Sequence, residues 1–317
     1  MTLDLAIETI DLTKQYGSLT AVDKLNLKVK RGTIHGFLGP NGAGKSTTIK
    51  ILVGLLKATE GTAKVLGQKV YADDADARLH IGYMPELPKF PKHLKGAELL
   101  DIYGRMYGMT QLELKEQIPK LIELVGLKGR ENDLIGKYSK GMQQRIGIAQ
   151  ALLDNPELVV LDEPSMGLDP VGMVEVRELV KAISKEGMTV FVSSHLLYEV
   201  EQICSHVTII NRGQALVSDT LENVSKMISG PAVMQVEVVN LIDRVITALE
   251  NLSYVKDLSK NGNLLNITLN TWEDVRSEIS QTITKAGGII IGMNQKSHSL
   301  EAVFMQLINK PQGSTPK

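Results

Sequence analysis

Residues Gly39, Pro40, Asn41, Gly42, Ala43, Gly44, Lys45, Ser46 and Thr47 follow the spacing G-x-x-x-x-G-K-[ST]. The three glycines let backbone N–H groups turn toward one centre, and the positive end of the helix that follows favours phosphate charge there. Lys45 adds a cation long enough to reach a β- or γ-phosphate. Ser46 offers a hydroxyl to Mg²⁺, a hard cation that takes oxygen ligands, and Thr47 with Thr48 extends the polar lip of the helix. The pattern is a phosphate cradle; alone, it does not choose among kinase, GTPase and ATPase.

A second constellation lies at Leu158–Pro164, where an apolar run ends in Asp162 and Glu163. In open α/β sheets, ligands bind at the C-terminal ends of the strands, where these acids fall. Asp162 is expected to hold Mg²⁺, directly or through water, and Glu163 to orient or deprotonate the attacking water. A buried carboxylate beside nucleotide charge holds its proton more tightly, which suits a general base. Phosphoryl transfer needs mostly positioning and charge stabilisation, and the pair supplies both.

The elements that must position these groups read as alternating strands and helices. Leu5 to Leu12, the alternating Leu25, Leu27 and Val29, and Thr33 to Leu38 read as strands, the last running into the glycines. Ser46 to Leu56 has apolar residues at helical spacing, interrupted modestly by Gly54. Lys92 to Gly129 is rich in helix formers and reads as an inserted helical subdomain, with Ala97–Leu100, Leu112–Glu116 and a helix over Ile118–Val125 that has Pro119 in its first turn. Leu158–Leu161 and Thr189–Val192 read as buried strands flanking a helix over Val174–Ser184. After Gly230-Pro231 the order is β-α-β-β-α-β from Val233 to Gly292, as in a small ferredoxin-like unit, with a last helix near Leu300–Leu307 and a disordered tail at 310–317.

The expected fold class is therefore α/β: a nucleotide-binding core of mixed or parallel sheet, an antiparallel β subdomain, an inserted helical subdomain at about 90–150, and a small α+β C-terminal domain. The expected domains are 1–230 and 231–309.

Composition narrows the function classes. Of 317 residues, 43% are hydrophobic and 22% charged, ordinary for a globular chain, and the net charge of -1 gives no electrostatic footprint for nucleic acid. Cys204 is the only cysteine, which excludes an intrachain disulfide framework and suits a reducing compartment. No apolar run is long enough to cross a bilayer, and the first residues lack a signal peptide's pattern. Any membrane role therefore requires docking onto a chain that spans.

With these residues in place, the sequence resembles the ATP-binding cassette family over about residues 5 to 225. The segment Tyr138-Ser-Lys-Gly-Met-Gln-Gln-Arg145 resembles the family signature. The resemblance implies that Ser139, Lys140, Gly141 and Met142 cap the γ-phosphate of the opposite subunit at a helix start. Tyr138, Lys140 and Met142 depart from the usual leucine, glycine and glutamine. Gly167, Leu168 and Asp169 resemble the D-loop at the dimer interface, and Asp169-Pro170 also reads as an ordinary helix start. Ser194-His195 resembles the switch histidine, giving a catalytic set of Lys45, Glu163 and His195. Tyr16 stands where the family stacks an aromatic ring on adenine. Glu86 stands where a glutamine usually touches Mg²⁺, so the metal set is Ser46, Glu86 and Asp162. The C-terminal segment Ser299-Leu-Glu-Ala-Val-Phe304 resembles cassettes of the antibiotic, lipid and polysaccharide exporters.

The resemblance implies an ATPase with ATP and Mg²⁺ as cofactors, working as a homodimer with a separate transmembrane permease on the cytoplasmic face of the membrane, in the direction of export. Tyr103, Met106 and Tyr107 are the candidate permease-docking anchors, unless they fill the insert's own core. Two other classes stay open: a soluble ATPase acting on DNA or ribosomes, and a nucleotide-sensing module without catalysis.

Overall fold

The computed structural model describes residues 4–71, 80–228, 233–240, 242–271 and 274–296. The chain divides into two compact units, Met1–Glu222 and Asn223–Lys317. The first runs β1 (Leu5–Tyr16), β2 (Leu19–Lys30), β3 (Ile34–Leu38), α1 (Lys45–Leu52), β4 (Glu60–Val65), β5 (Gln68–Lys69), β6 (Ile81–Met84), α2 (Gly96–Met106) and α3 (Gln111–Leu124). It continues through α4 (Lys140–Ala151), β7 (Leu158–Asp162), α5 (Pro170–Lys185), β8 (Thr189–Ser194), α6 (Leu197–Ile203), β9 (His206–Asn211) and β10 (Gln214–Thr220). Helix α7 (Leu221–Ile228) follows.

Strands β3, β7 and β8 are buried along their whole length, as their unbroken apolar runs require once both faces of a parallel sheet are covered. The sheet order is β10-β9-β3-β8-β7-β6, parallel except for the β10–β9 edge. Register places Leu38 opposite Ser194 and Asp162 opposite Ser193, so the loops after β3, β7 and β8 leave the sheet at one end.

A second sheet, β2-β1-β4-β5, is antiparallel. In β2, Leu25, Leu27 and Val29 turn inward while Asn26, Lys28 and Lys30 face out. Ile7, Leu12, Leu25, Leu27, Phe37, Ile49, Leu52 and Phe191 share one core between the sheets and α1. At roughly 1.5 to 3 kcal/mol per large apolar side chain buried, this core holds the cradle against the sheet.

Two helical expectations need correction. Helix α1 stops at Leu52, not Leu56, because Gly54 takes φ 71°. Its N–H donates to the Ile51 carbonyl at 3.0 Å and the Leu55 N–H to the Lys50 carbonyl at 2.8 Å, a glycine-centred stop that ties off the last carbonyls. Pro119 lies within α3, not in the first turn of a later helix. The start is set at Thr110, whose hydroxyl accepts from the Glu113 N–H while the Glu113 carboxylate accepts from the Thr110 N–H, and this reciprocal cap pulls Leu112–Glu116 and Ile118–Leu124 into one helix. Helix α5 begins at Pro170, four residues before the apolar run at Val174 and where the Asp169-Pro170 helix start is expected, with Asp169 Oδ1 accepting from the Gly172 N–H at 2.9 Å. Strand β8 likewise runs past Val192 to Ser194.

The second unit contains β11 (Val233–Val239), α8 (Asp243–Glu250), β12 (Val255–Asn261), β13 (Leu264–Leu269), α9 (Arg276–Lys285) and β14 (Ile289–Lys296). Its antiparallel order β12-β13-β11-β14 is that of a ferredoxin-like split unit. Val236, Val245, Leu249, Leu265, Ile279 and Ile283 form its core. The expected helix near Leu300–Leu307, the tail at 310–317 and the 299–304 match lie outside the described residues. Among the described residues, no helix is long and apolar enough to cross a membrane.

Candidate active site

The cradle joins β3 to α1. Gly44 sits at the helix N-cap with φ 104°, a conformation that only glycine adopts without strain, and a Cβ there would run into the Ala21 carbonyl oxygen. Gly42, at φ 80°, turns the loop one step earlier. Lys45 folds back over the loop, donating to the Gly39 carbonyl at 2.8 Å. Thr48 differs from expectation: it is buried, and its hydroxyl donates to the Gly44 carbonyl at 2.9 Å instead of forming part of a polar lip.

The sheet brings the acids to the cradle. Ser46 Oγ lies 3.5 Å from Asp162 Oδ1. Lys45 Nζ lies 3.0 Å from Glu163 Oε1, with the two side chains 7% and 8% exposed. Glu163 Oε2 is 2.8 Å from His195 Nδ1, just past the end of β8. Lys45, Glu163 and His195 thus form a continuous chain of polar contacts around one carboxylate. Glu163 has φ 51°, left-handed backbone in a non-glycine residue, of the kind that functional sites hold under constraint.

Ser193, a residue that sequence reading missed, provides that constraint. Its hydroxyl donates to Asp162 Oδ1 at 2.6 Å and accepts from the Glu163 N–H at 2.9 Å. One buried hydroxyl therefore fixes both acids. Its signal in the sequence is slight, a serine two places before the histidine, and it becomes visible only when strand register sets it beside Asp162.

Burial pushes the Asp162 carboxyl upward, and the nearby Glu163 charge adds to this, while hydrogen bonds from Ser193 and Ser46 and the Lys45 charge work in the opposite direction. Burial also raises the Tyr83 hydroxyl to about 12, with contributions from Asp162 and then Glu86. Glu86, after β6, thus belongs to the same electrostatic neighbourhood as Asp162.

Tyr16 ends β1 with 47% of its surface exposed, and Lys14 Nζ stands 5.2 Å from its ring centroid. Such a ring is free to take a flat base on its face. Ser139 is the N-cap of α4, its hydroxyl accepting from the Met142 N–H at 3.2 Å. Lys140 lies over Gly167, whose φ is 67°, and a Cβ on Gly141 would come 3.8 Å from Leu168, so this segment rests on the 167–169 loop. Among the described residues, Ser139 makes no bond to the cradle of its own chain.

A family model described as ABC transporter matches residues 22–166. The chain is 45% identical over 221 residues to the bacitracin transport ATP-binding protein BcrA of Bacillus licheniformis, covering 69% of this chain and 71% of that protein. It is 32% identical over 307 residues to the linearmycin resistance ATP-binding protein LnrL of Bacillus subtilis (strain 168), covering 96% and 98%. The chain belongs to the ABC transporter family, as an ATP-binding subunit. A solved ATP-binding subunit of an ABC transporter overlays this cassette with a TM-score of 0.64 at 29% identity, covering 70% of this chain and 92% of that one. The mixed sheet, antiparallel sheet and helical insert described above are thus those of a cassette ATPase.

The cassette's residues also fit its ligands chemically. Without a side chain on Gly44 the phosphate loop packs directly against the Ala21 carbonyl, and the Ser46 hydroxyl and Asp162 carboxylate, 3.5 Å apart, are oxygen donors of the kind a hard cation takes. Among the described residues there is no group of three or more His, Cys, Asp or Glu side chains placed to hold a metal.

Proposed function

We propose that two copies of this chain close on two ATP molecules, each nucleotide held by the cradle of one copy and capped by the signature of the other, and that hydrolysis drives a separate permease. One observation carries this reading: Lys45, Asp162, Glu163 and His195 converge within one chain, while Ser139 caps an exposed helix start and bonds only its own helix among the described residues. A site with an acid, a base and a cradle, but with one side open, calls for a second surface.

In this mechanism the Gly39–Thr47 loop and Lys45 bind the triphosphate, and Tyr16 stacks on the base. Ser46 and Asp162 hold Mg²⁺, with Glu86 as a further oxygen. When bound, that metal neutralises charge on the transferred phosphoryl group. A γ-phosphate draws Lys45 toward itself, leaving Glu163 free to take a proton from the attacking water, while His195 keeps the carboxylate oriented. Ser139 and Gly141 complete the anion cage from the opposite copy, and Gly167, Leu168 and Asp169 line the interface beneath them.

The permease surface we propose is the groove beside α2, about 300 Å³ and lined by residues including Leu55, Tyr83, Pro85, Phe90, Tyr103 and Tyr107. Tyr107 is 48% and Met106 74% exposed, whereas Leu99 and Leu100 fill the insert's own core. The relatives named for bacitracin transport and linearmycin resistance support export as the direction. We place the cassette on the cytoplasmic face, where ATP is available, held there by its permease.

The test is sedimentation of the Glu163→Gln variant with ATP and Mg²⁺. A stable dimer that dissociates when nucleotide is removed is expected. A monomer with full ATPase activity in the unaltered chain contradicts the reading.

A further inference from the structure

Tyr138, immediately before Ser139, is only 5% exposed. Its hydroxyl donates to the Arg130 carbonyl at 2.8 Å, its N–H to the Ile135 carbonyl at 3.0 Å, and its own carbonyl accepts from Gln143 Nε2 at 3.1 Å. The ring is therefore fixed at both ends. Its phenol end abuts Gly96, the first residue of α2, where an added Cβ would overlap the hydroxyl oxygen and come 3.3 Å from Cζ. Gly96 does not have a positive φ, and helix propensity alone would favour alanine. The absence of a methyl group is explained by the tyrosine hydroxyl that fills its place.

The backbone joins the same two segments. The Ala97 N–H donates to the Glu131 carbonyl at 2.9 Å, the Ile135 N–H to the Leu94 carbonyl at 2.8 Å, and the Gly136 N–H to the Lys92 carbonyl at 3.0 Å. The approach to Ser139 is thus laced to the start of α2, the helix whose far end carries Tyr103 on the proposed docking groove. One buried ring and three backbone bonds tie the segment leading into α2 to the residues leading to Ser139.

We infer that the Tyr138–Gly96 pair is a positioning device for the signature: it sets where Ser139 stands, and so how readily the 138–145 segment closes on the triphosphate of a second copy. The inference rests on the reading of that segment as a cap acting between subunits. Tyr138 touches no reacting atom, so its effect falls on nucleotide-dependent closure and not on the chemical step.

ATPase kinetics of the full chain test this. Tyr138→Phe removes only the hydroxyl, and Gly96→Ala inserts a methyl against it. Each change is expected to raise the KM for ATP roughly 3- to 10-fold while kcat stays within about twofold, the signature of lost binding contacts rather than lost chemistry. In the Gly96→Ala/Tyr138→Phe double variant the inserted methyl no longer meets an oxygen and keeps only the 3.3 Å approach to Cζ, so Gly96→Ala should raise KM less in the Tyr138→Phe background than in the unaltered chain. Wild-type kinetics in both single variants, or a fall in kcat proportional to lost folded protein at unchanged KM, overturns the inference. Ser139→Ala separates the two levels. If that variant keeps full activity, the intersubunit cap itself is wrong; if it is inactive while the Tyr138 and Gly96 variants keep the wild-type KM, only the positioning role falls.

Discussion

Lys45 and Glu163 meet at 3.0 Å inside the cassette, and the other oxygen of the same carboxylate meets His195 at 2.8 Å. The ammonium expected to hold phosphate and the carboxylate expected to activate water are thus partners. In the proposed mechanism a γ-phosphate competes with Glu163 for Lys45, which makes nucleotide binding and release of the base one event.

Lys45→Ala should abolish ATP binding and also destabilise the fold. Breaking a buried pair from one side leaves the other charge without its partner, at a cost of about 3 kcal/mol or more. Adding Glu163→Gln should restore most of that loss, and thermal melts of the two single variants and the double variant read the coupling directly. Strictly additive shifts in Tm would show that the two side chains do not depend on each other.

Ser193→Ala should cost about 1 to 3 kcal/mol, because it leaves the buried Glu163 N–H without an acceptor. It should also lower kcat by roughly 10-fold or more, since both acids lose the hydroxyl that aligns them. Unchanged kcat with a lowered Tm would confine Ser193 to folding.

Asp162→Asn should abolish Mg²⁺-dependent hydrolysis yet raise Tm near neutral pH. Burial raises the folded-state range of Asp162, so its ionised form opposes folding once pH passes above that range, and the opposition disappears as pH falls and the carboxyl takes up its proton. The Tm advantage of the asparagine variant should therefore shrink on acidification. An advantage that grows as pH falls would reverse the sign of this account.

Tyr16→Ala should raise the KM for ATP about 10-fold, in line with roughly 1 to 3 kcal/mol for one base stacked on an aromatic ring, whereas Tyr16→Phe should bind normally. Equal losses in both variants would point to the hydroxyl instead of the ring face.

Much of this site was legible in the sequence because spacing there is geometry. A glycine loop between strand and helix has few ways to fold, and an apolar run ending in two acids places them at a sheet end. The contact of Lys45 with Glu163 was not legible, because it depends on β3 and β7 both flanking β8. Ser193 stayed hidden for the same reason, its role arising from register with Asp162. Two helix bounds depart from the sequence pattern for local reasons: the left-handed Gly54 ends α1 inside an apolar run that continues past it, and the Thr110–Glu113 cap, set nine residues before Pro119, starts α3. The Gly96–Tyr138 fit could not be read from spacing at all, since it is a matter of which atom occupies the place of an absent methyl.

The most direct measurement of the composite site is complementation between two inactive variants. Lys45→Ala loses its cradle and Ser139→Ala its cap, so each should be inactive alone. Mixed in equal amounts with ATP and Mg²⁺, they can form a heterodimer with one intact cradle facing one intact cap. The account predicts ATPase activity in the mixture well above the sum of the two separate proteins. Activity no greater than that sum, with heterodimers present by sedimentation, would contradict it.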